Sequence, residues 1–156
     1  MIVPVKLVRE VEVSAFSHAT EDEDKVEKAI RNLLPEEAQE IWLTRRTLKG
    51  HHGDPITIVA GKIRTNKGAT EVLRRVVQEL SSLDQQRLLD ESEERLDDGG
   101  NLYIRLDKQK AYQGKVRLVE TDPVKMKFKL RLPYGKDRLE YVRDVVNAII
   151  EEEHEA

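Results

Sequence analysis

Apolar and polar residues alternate in the first part of the chain. Val11, Val13 and Ala15 are separated by Glu12 and Ser14. A period of two places the apolar side chains on one face and the polar side chains on the other, which is typical of a half-buried antiparallel strand. The alternation predicts a strand over residues 5–16.

Farther along, the spacing of apolar residues changes between the periods of a helix and of a strand. Apolar residues three and four positions apart indicate helices. The predicted helices cover residues 20–33, 66–80, 84–95 and 136–153. Alternating or short apolar runs indicate strands. The further predicted strands cover residues 41–48, 56–64, 102–106, 115–118 and 124–132.

The resulting order of elements is β-α-β-β-α-α-β-β-β-α. Because strands and helices do not alternate strictly, a doubly wound parallel sheet is disfavoured. We predict an α+β fold with an antiparallel sheet of about six strands and helices packed on one face. A single domain over residues 1–156 is expected, with the other face of the sheet free.

Composition limits the kinds of site and the cellular location that are expected for this fold. The chain has 156 residues and no cysteine, so disulfides and thiolate metal sites are excluded. It has no stretch near the roughly 18 apolar residues of a membrane span, and its N-terminus lacks the pattern of a signal peptide. We expect a cytoplasmic protein with no membrane association and no cofactor.

The net charge of −3 conceals a basic segment. Residues 100–132 contain nine Lys or Arg and three Asp or Glu, a local balance of +6. The rest of the chain is therefore strongly acidic. A localised basic surface attracts polyanions such as nucleic acids even when the whole chain is acidic.

The clearest functional pattern lies in the last predicted strand. Lys125, Lys127, Lys129 and Arg131 occupy alternate positions, so they are expected on one face of that strand. Two preceding strands carry outward cations in the same way, at Arg105, Lys115 and Arg117. Three such strands side by side would form a basic field for phosphates, although a single lysine row could instead protect an edge strand from aggregation.

The segment Gly50-His51-His52-Gly53-Asp54-Pro55 connects two predicted strands. Glycine and proline favour a simple hairpin turn. Two neighbouring histidines could bind a metal, although the chain offers few other ligands. A third interpretation is an RNA-contacting loop, in which imidazoles stack on bases and Arg45 and Arg46 approach from the preceding strand.

Two further clusters could carry chemistry. His18 and its neighbours in residues 17–22 contain the residue types of a hydrolase site, and the carboxylates of residues 93–98 could bind Mg²⁺. Helix capping and a solvated turn explain both clusters more simply. A hydrolase would need His18, His51 and the Asp97-Asp98 turn to converge within about 10 Å, and no glycine-rich phosphate loop follows a strand.

Aromatic residues make up only 4% of the chain. The aromatic-rich strand motif of common RNA-recognition sheets is missing. Any RNA binding should therefore depend on phosphates and shape, with weak sequence specificity and a steep dependence on salt.

Four separated segments resemble an archaeal protein family: residues 13–22, the Gly50–Ile56 loop, residues 94–98 and residues 101–109. That family is described as RNA-binding and as a predicted exosome subunit. The resemblance implies a fold similar to the ribosomal protein that binds 5S ribosomal RNA, with an antiparallel sheet and helices on one side.

Together, the basic strands and the resemblance lead us to expect a non-catalytic RNA-binding protein, with a role in RNA processing or degradation. The alternative is a protein-interaction module that docks an acidic partner on the same basic face. The oligomeric state is left open. The candidate RNA-binding residues are Arg45, Arg46, His51, His52, Arg105, Lys108, Lys115, Arg117, Lys125, Lys127, Lys129 and Arg131.

Overall fold

The computed structural model describes residues 1–49 and 53–155. The strands are β1 Val8–His18, β2 Thr44–Lys49, β3 Pro55–Ile63, β4 Asn101–Asp107 and β5 Pro123–Leu130. The helices are α1 Glu23–Asn32, α2 Asn66–Glu79, α3 Ser82–Asp90, α4 Ser92–Arg95, α5 Lys108–Tyr112 and α6 Arg138–Glu155, with a 3₁₀ turn at Glu36–Ala38. None of these helices is long and apolar enough to cross a membrane.

The five strands form one antiparallel sheet in the order β2-β3-β1-β5-β4. The long first strand lies in the centre and pairs with β3 on one side and β5 on the other. This architecture confirms the predicted α+β fold and its antiparallel sheet. The sheet has five strands where the sequence predicts about six.

The strand that was predicted but does not form is the one at residues 115–118. This segment makes a single β-bridge, between Leu118 and Leu106. Asp107 ends β4 and caps α5, since its carboxylate accepts a hydrogen bond from the Lys110 amide at 2.9 Å. Helix α5 lies directly between β4 and the predicted strand at residues 115–118, which were expected to pair. Only one bridge of the predicted strand therefore forms beside β4.

The core lies between the sheet and the helices. Alternate residues of the central strands point into it, including Val11, Val13, Met126 and Phe128, all of them buried. The apolar sides of α1, α2 and α6 complete it with residues such as Ile30, Leu73, Val76, Val146 and Ile149. The helices α1, α2 and α6 pack on one face of the sheet. The residues of β1 and β5 that alternate with the buried ones point toward the opposite face.

Gly61 in β3 allows the chain before β2 to approach the sheet closely. A Cβ atom at this position would lie 2.8 Å from both Leu43 Cδ2 and the Trp42 carbonyl oxygen. Ile41 and Leu43 pack against the core at this point. The absence of a side chain at Gly61 therefore allows the segment that carries Trp42 to lie close against the sheet.

Candidate nucleic-acid interface

The face of the sheet opposite the helices is accessible, and we call it the open face. Its side chains alternate with the buried residues of each strand, and strand register places them in rows across the sheet. The open face consists of Glu10, Glu12, Ser14, Phe16 and His18 of β1, Thr44, Arg46 and Leu48 of β2, Ile56, Ile58, Ala60 and Lys62 of β3, Asn101, Tyr103 and Arg105 of β4, and Lys125, Lys127 and Lys129 of β5.

Two neighbouring rows of the open face carry most of the free positive charge. In one row Arg105 lies opposite Lys125, which lies opposite Ser14, and the row ends in small residues of β3 and β2. In the next row Tyr103 lies opposite Lys127, which lies opposite Glu12. Neighbouring strands are about 4.8 Å apart, so these cations form a compact two-dimensional group.

Two glutamates of β1 neutralise the outer part of the basic field. Lys129 Nζ lies 2.8 Å from Glu10 and 3.4 Å from Glu12, and Lys62 and Arg64 also pair with these glutamates. The hydrogen bond from Lys129 lowers the pKa of Glu10, and the same contact raises the pKa of Lys129. Lys129 is therefore committed to an ion pair.

Four cations of the open face are not committed in this way. Among the residues that the structure describes, no carboxylate lies within 4.0 Å of the charged groups of these four side chains. They are Arg46, Arg105, Lys125 and Lys127. They lie on three strands and can each contact a phosphate without breaking an ion pair.

A groove of about 610 Å³ lies on the open face. Cations of β3 and β5 line it together with two aromatic residues from opposite sides, Trp42 and Tyr103. Ser14, Thr44 and Ala60, which also line the groove, are small, so the open face is lower between the cationic and aromatic side chains. The charged residues of its lining are four cations and one carboxylate, Glu12, which pairs with Lys62 and Lys129. The groove can therefore hold a negatively charged ligand.

Asp97 holds Tyr103 in position at one side of the groove. One carboxylate oxygen accepts hydrogen bonds from the amides of Gly99 and Asn101 at 2.9 Å, and the other accepts from the Asn101 side chain at 3.0 Å and the Tyr103 hydroxyl at 3.1 Å. The Asn101 hydrogen bonds are the main cause of the lowered pKa of Asp97. Asp97 thus organises the turn before β4.

Arg45 and Lys108 were predicted to contact RNA, but both are held away from the open face. Arg45 points toward the helices, where it binds Asp24 at 2.6 Å, Glu23 at 3.2 Å and also Glu27. These hydrogen bonds raise its pKa. Arg45 is therefore paired with the carboxylates of α1, although part of its side chain is exposed.

Lys108 is only 9% exposed. Its ammonium group donates to the Phe16 carbonyl oxygen at 2.8 Å and lies 2.9 Å from Glu21 and 3.0 Å from Asp122. All three donor positions of the ammonium are therefore used within the protein. Lys108 ties the end of β1 to the loop before β5 and has no position left for a phosphate.

The other predicted residues are separated from the central group. Lys115 is exposed in the turn after α5. Arg117 is exposed beside the end of β4, where its carbonyl oxygen accepts a hydrogen bond from the Asp107 amide at 2.8 Å. Arg131 follows the end of β5 and donates to Asn66 Oδ1 at 3.1 and 3.2 Å. His51 and His52 lie outside the described residues.

His18 belongs to a polar cluster at one end of β1. Its Nε2 atom lies 3.0 Å from Asp122, which also binds Lys108. Burial would raise the pKa of Asp122, but the hydrogen bonds from Lys108 and His18 bring it below the ordinary value. Asp122 has a positive φ of 46°, a conformation that aspartate tolerates better than most residues.

The arrangement required for a hydrolase does not form between His18 and Asp97. Asp97 lies beside the start of β4, whereas His18 lies beyond its end, near Lys108. The length of β4 between them is roughly 20 Å from the rise of a strand. No general base could link the two groups directly.

Sequence reasoning missed Trp42 and Lys62 as residues of the site. Lys62 alternates with Ala60 and Arg64 in the same way as the lysines of β5, so its outward direction was readable from the sequence. Trp42 lies before the start of β2, outside any regular alternation. Only the pairing of β3 with its neighbours brings both residues into the groove that Lys127 also lines.

The fold and the open face define a class: an α+β protein whose helix-backed antiparallel sheet presents cations and aromatics on its free face. Residues 10–130 match the model of a family described as RNA binding, and the chain belongs to this family. An RNA-binding protein of Pyrococcus abyssi is 35% identical over 116 residues, which cover 73% of this chain and 75% of the relative.

Solved structures of related proteins have the same fold. The crystal structure of an Archaeoglobus fulgidus protein assigned to the DUF54 family has a TM-score of 0.76 and 32% identity, and the match covers 88% of this chain and 99% of the other. A DUF54 protein of Methanothermobacter thermautotrophicus gives a TM-score of 0.70 and 29% identity, covering 90% and 98%. The relatives are archaeal, in agreement with the resemblance inferred from the four segments.

Proposed function

We propose that this protein binds RNA without catalysis, and that the RNA lies on the open face. The observation that carries the proposal is the cross-strand pair of Arg105 and Lys125, which places two positive charges opposite each other with no acid in the same row. Like charges in this position destabilise a sheet. A phosphate between them would remove the repulsion, and family membership favours RNA as its source.

The contacts expected are mainly with phosphates. Arg46, Arg105, Lys125 and Lys127 are the four uncommitted cations, so about four phosphates would be neutralised. Binding to a single strand would then have a slope of about −3 in a plot of log K against log salt. Phosphate contacts carry no base information, so the sequence specificity from these four residues would be weak.

The test reverses the charge of two lysines on the open face. A control variant reverses the charge of two lysines away from this face. Lys125→Glu with Lys127→Glu removes the centre of the basic field. Lys28→Glu with Lys136→Glu makes the same change in net charge on exposed residues of α1 and of the loop before α6. Binding of a labelled RNA hairpin with a single-stranded extension is measured by fluorescence anisotropy across a salt series.

The open-face double variant should lose at least about 25-fold in affinity at 0.1 M salt, because each lost phosphate contact accounts for about fivefold under these conditions. The helical-side variant should bind within about twofold of wild type. Equal affinity of the two double variants would contradict the proposed location. No salt-dependent binding by wild type would contradict RNA binding itself.

An acidic protein partner would meet the same cations. Poly-glutamate of matched charge number separates this alternative from RNA, because it supplies carboxylates without phosphates, sugars or bases. RNA should bind at least tenfold more tightly than poly-glutamate at equal salt. Equal binding would favour the acidic protein partner and contradict the proposal.

The finer role proposed is that of an accessory to RNA processing or degradation in the cytoplasm, associated with an exosome. Its support is the motif resemblance around His18, Asp97 and Tyr103. Titration of this protein into a reconstituted archaeal exosome, followed by light scattering, tests it. A stable complex is expected, and the absence of one would remove the exosome role while leaving RNA binding in place.

A further inference from the structure

We infer that the open face selects unpaired nucleotides, with Trp42 and Tyr103 as stacking platforms for two bases of one strand. The inference rests on the proposed function and adds the class of RNA. Phosphate contacts alone would accept a duplex and a single strand alike. Trp42 is exposed and Tyr103 is partly exposed, and both line the groove with those cations. Aromatic rings in this setting favour a strand whose bases are free to turn toward the protein.

Trp42 is the sole tryptophan of the chain and is 84% exposed. Its main chain is held against Gly61, and its side chain lines the groove beside Lys62 and Arg64. Exposing a large apolar ring to water costs the stabilisation that burial would provide. An exposed indole whose main chain packs closely against the sheet can present its face to a base.

Tyr103 forms the platform on the other side of the groove. Its hydroxyl donates to Asp97 at 3.1 Å, which restricts rotation of the ring. The Arg105 guanidinium lies over the ring, 5.8 Å from its centroid, so a positive charge adjoins one face of the platform and the other face is left for a base. A base on this ring and a phosphate on Arg105 or Lys125 would belong to neighbouring positions of one strand.

The distance between the two platforms decides how the rings are used. The row from Lys62 through Glu12 and Lys127 to Tyr103 spans three strand intervals, about 14 Å. Trp42 lies near the Lys62 end of this row, because its carbonyl oxygen is close to Gly61 and its residue lines the groove with Lys62. One base cannot contact both rings. Trp42 and Tyr103 must therefore receive different nucleotides, with Lys127 near the backbone between them.

A base-paired helix does not fit this arrangement. Its bases are stacked on one another and paired, and in A-form RNA the major groove is too narrow for side chains to read. The two rings of the groove would meet only the outer edge of a duplex. Unpaired nucleotides can place their faces on the rings without breaking any pair.

Phe16 extends the apolar part of the open face. It is 47% exposed and lies opposite Ile58, which lies opposite Arg46. This row continues the path from the groove toward β2, and it ends in an uncommitted cation. A strand longer than the groove would have a further apolar contact and a further phosphate contact in this direction.

The experiment uses Trp42 as its own reporter, because stacking of a base on an indole quenches its fluorescence. A single-stranded decamer and a blunt duplex of the same length are titrated into wild type, Trp42→Ala, Tyr103→Ala and Tyr103→Phe. Tyr134→Ala is the matched control, since Tyr134 is fully exposed in the chain between β5 and α6. Anisotropy of labelled RNA gives the affinities.

The single strand should quench wild type and bind at least tenfold more tightly than the duplex. Trp42→Ala and Tyr103→Ala should each lose roughly 5- to 100-fold for the single strand, the range expected for one stacked base. Duplex affinity and the salt slope should stay nearly unchanged. Tyr103→Phe retains the ring and should lose less than Tyr103→Ala, and Tyr134→Ala should bind as wild type.

Salt-dependent binding of the single strand without quenching, and with no loss in either alanine variant, would overturn the stacking inference and leave the proposed RNA binding standing. Equal affinity for the duplex would overturn the preference for unpaired nucleotides. No binding of either RNA would overturn the proposed function as well. Quenching by poly-glutamate instead of RNA would favour a protein partner and would also overturn the inference.

Discussion

Lys125 of β5 lies directly opposite Arg105 of β4 on the open face. The row continues through Ser14 and Ala60 to Thr44, and none of these residues is acidic. Two rows away, Lys129 is placed between Glu10 and Glu12. Strand β5 therefore carries two lysines in different settings. Lys129 is neutralised by glutamates, whereas Lys125 lies opposite another cation.

The first prediction follows from this contrast. Lys125→Glu should stabilise the protein by about 0.5–1 kcal/mol, because it converts a repulsive cross-strand pair with Arg105 into an attractive one. Lys129→Glu should destabilise it, because three carboxylates would then meet. Urea unfolding at pH 7 measures both. A loss of stability in Lys125→Glu would contradict the view that binding, and not stability, explains this lysine.

The second prediction concerns Lys108. Lys108→Met should destabilise the protein by about 2–3 kcal/mol, somewhat below the loss for a fully buried ion pair, because Glu21 and Asp122 are partly exposed. RNA affinity of the folded variant should be unchanged. Thermal unfolding and anisotropy measure the two effects, and a large loss of affinity with normal stability would assign Lys108 to the interface.

The third prediction concerns pH. The pKa of Asp97 is lowered in the folded protein, so its ionised form contributes stability that is present above the unfolded pKa of about 4 and is lost as the pH falls through the folded value. Asp97→Asn should cost about 1 kcal/mol at pH 7 and flatten the acid limb of the stability curve. Asp98→Asn, at the exposed neighbour, should change stability at pH 7 by less than about 0.5 kcal/mol.

The fourth prediction concerns Gly61. Gly61→Ala should destabilise the protein by about 1–3 kcal/mol, because the added methyl group meets Leu43 and the Trp42 carbonyl. Displacement of Trp42 should also reduce fluorescence quenching by single-stranded RNA. Ala60→Ser, on the open face of the same strand, should change stability by less than about 0.5 kcal/mol. A neutral Gly61→Ala would mean that the segment before β2 is not held against the sheet.

Local periodicity was enough to predict most of the fold. The alternation of Val124, Met126 and Phe128 with lysines correctly gave the direction of each β5 side chain, because a strand has a period of two whatever its partners. The predicted start of α2 is correct, and those of α1, α3 and α6 differ from the observed starts by two or three residues. Asp22 caps α1 and Thr65 caps α2. Apolar periodicity does not locate such a cap exactly, because several neighbouring residues can cap a helix.

Long-range contacts could not be predicted from the same patterns. Glu10 and Glu12 neutralise Lys129 from a strand more than a hundred positions away, and no spacing rule connects them. The sequence gives no reason to expect an ion pair at Arg45 and none at Arg46. Only the fold places the carboxylates of α1 beside Arg45. Which cations are available for a ligand depends on strand pairing, so it required the structure.

The location of RNA on the open face is tested most directly by methyl NMR of the intact protein during titration with a single-stranded RNA decamer. Ala60 and Leu48 report on the open face, and Leu83 of α3, which is exposed, reports on the helical side. The Ala60 and Leu48 methyl signals should shift in proportion to occupancy while those of Leu83 stay in place. Shifts at Leu83 with unchanged Ala60 and Leu48 would contradict the assignment of the open face as the RNA site.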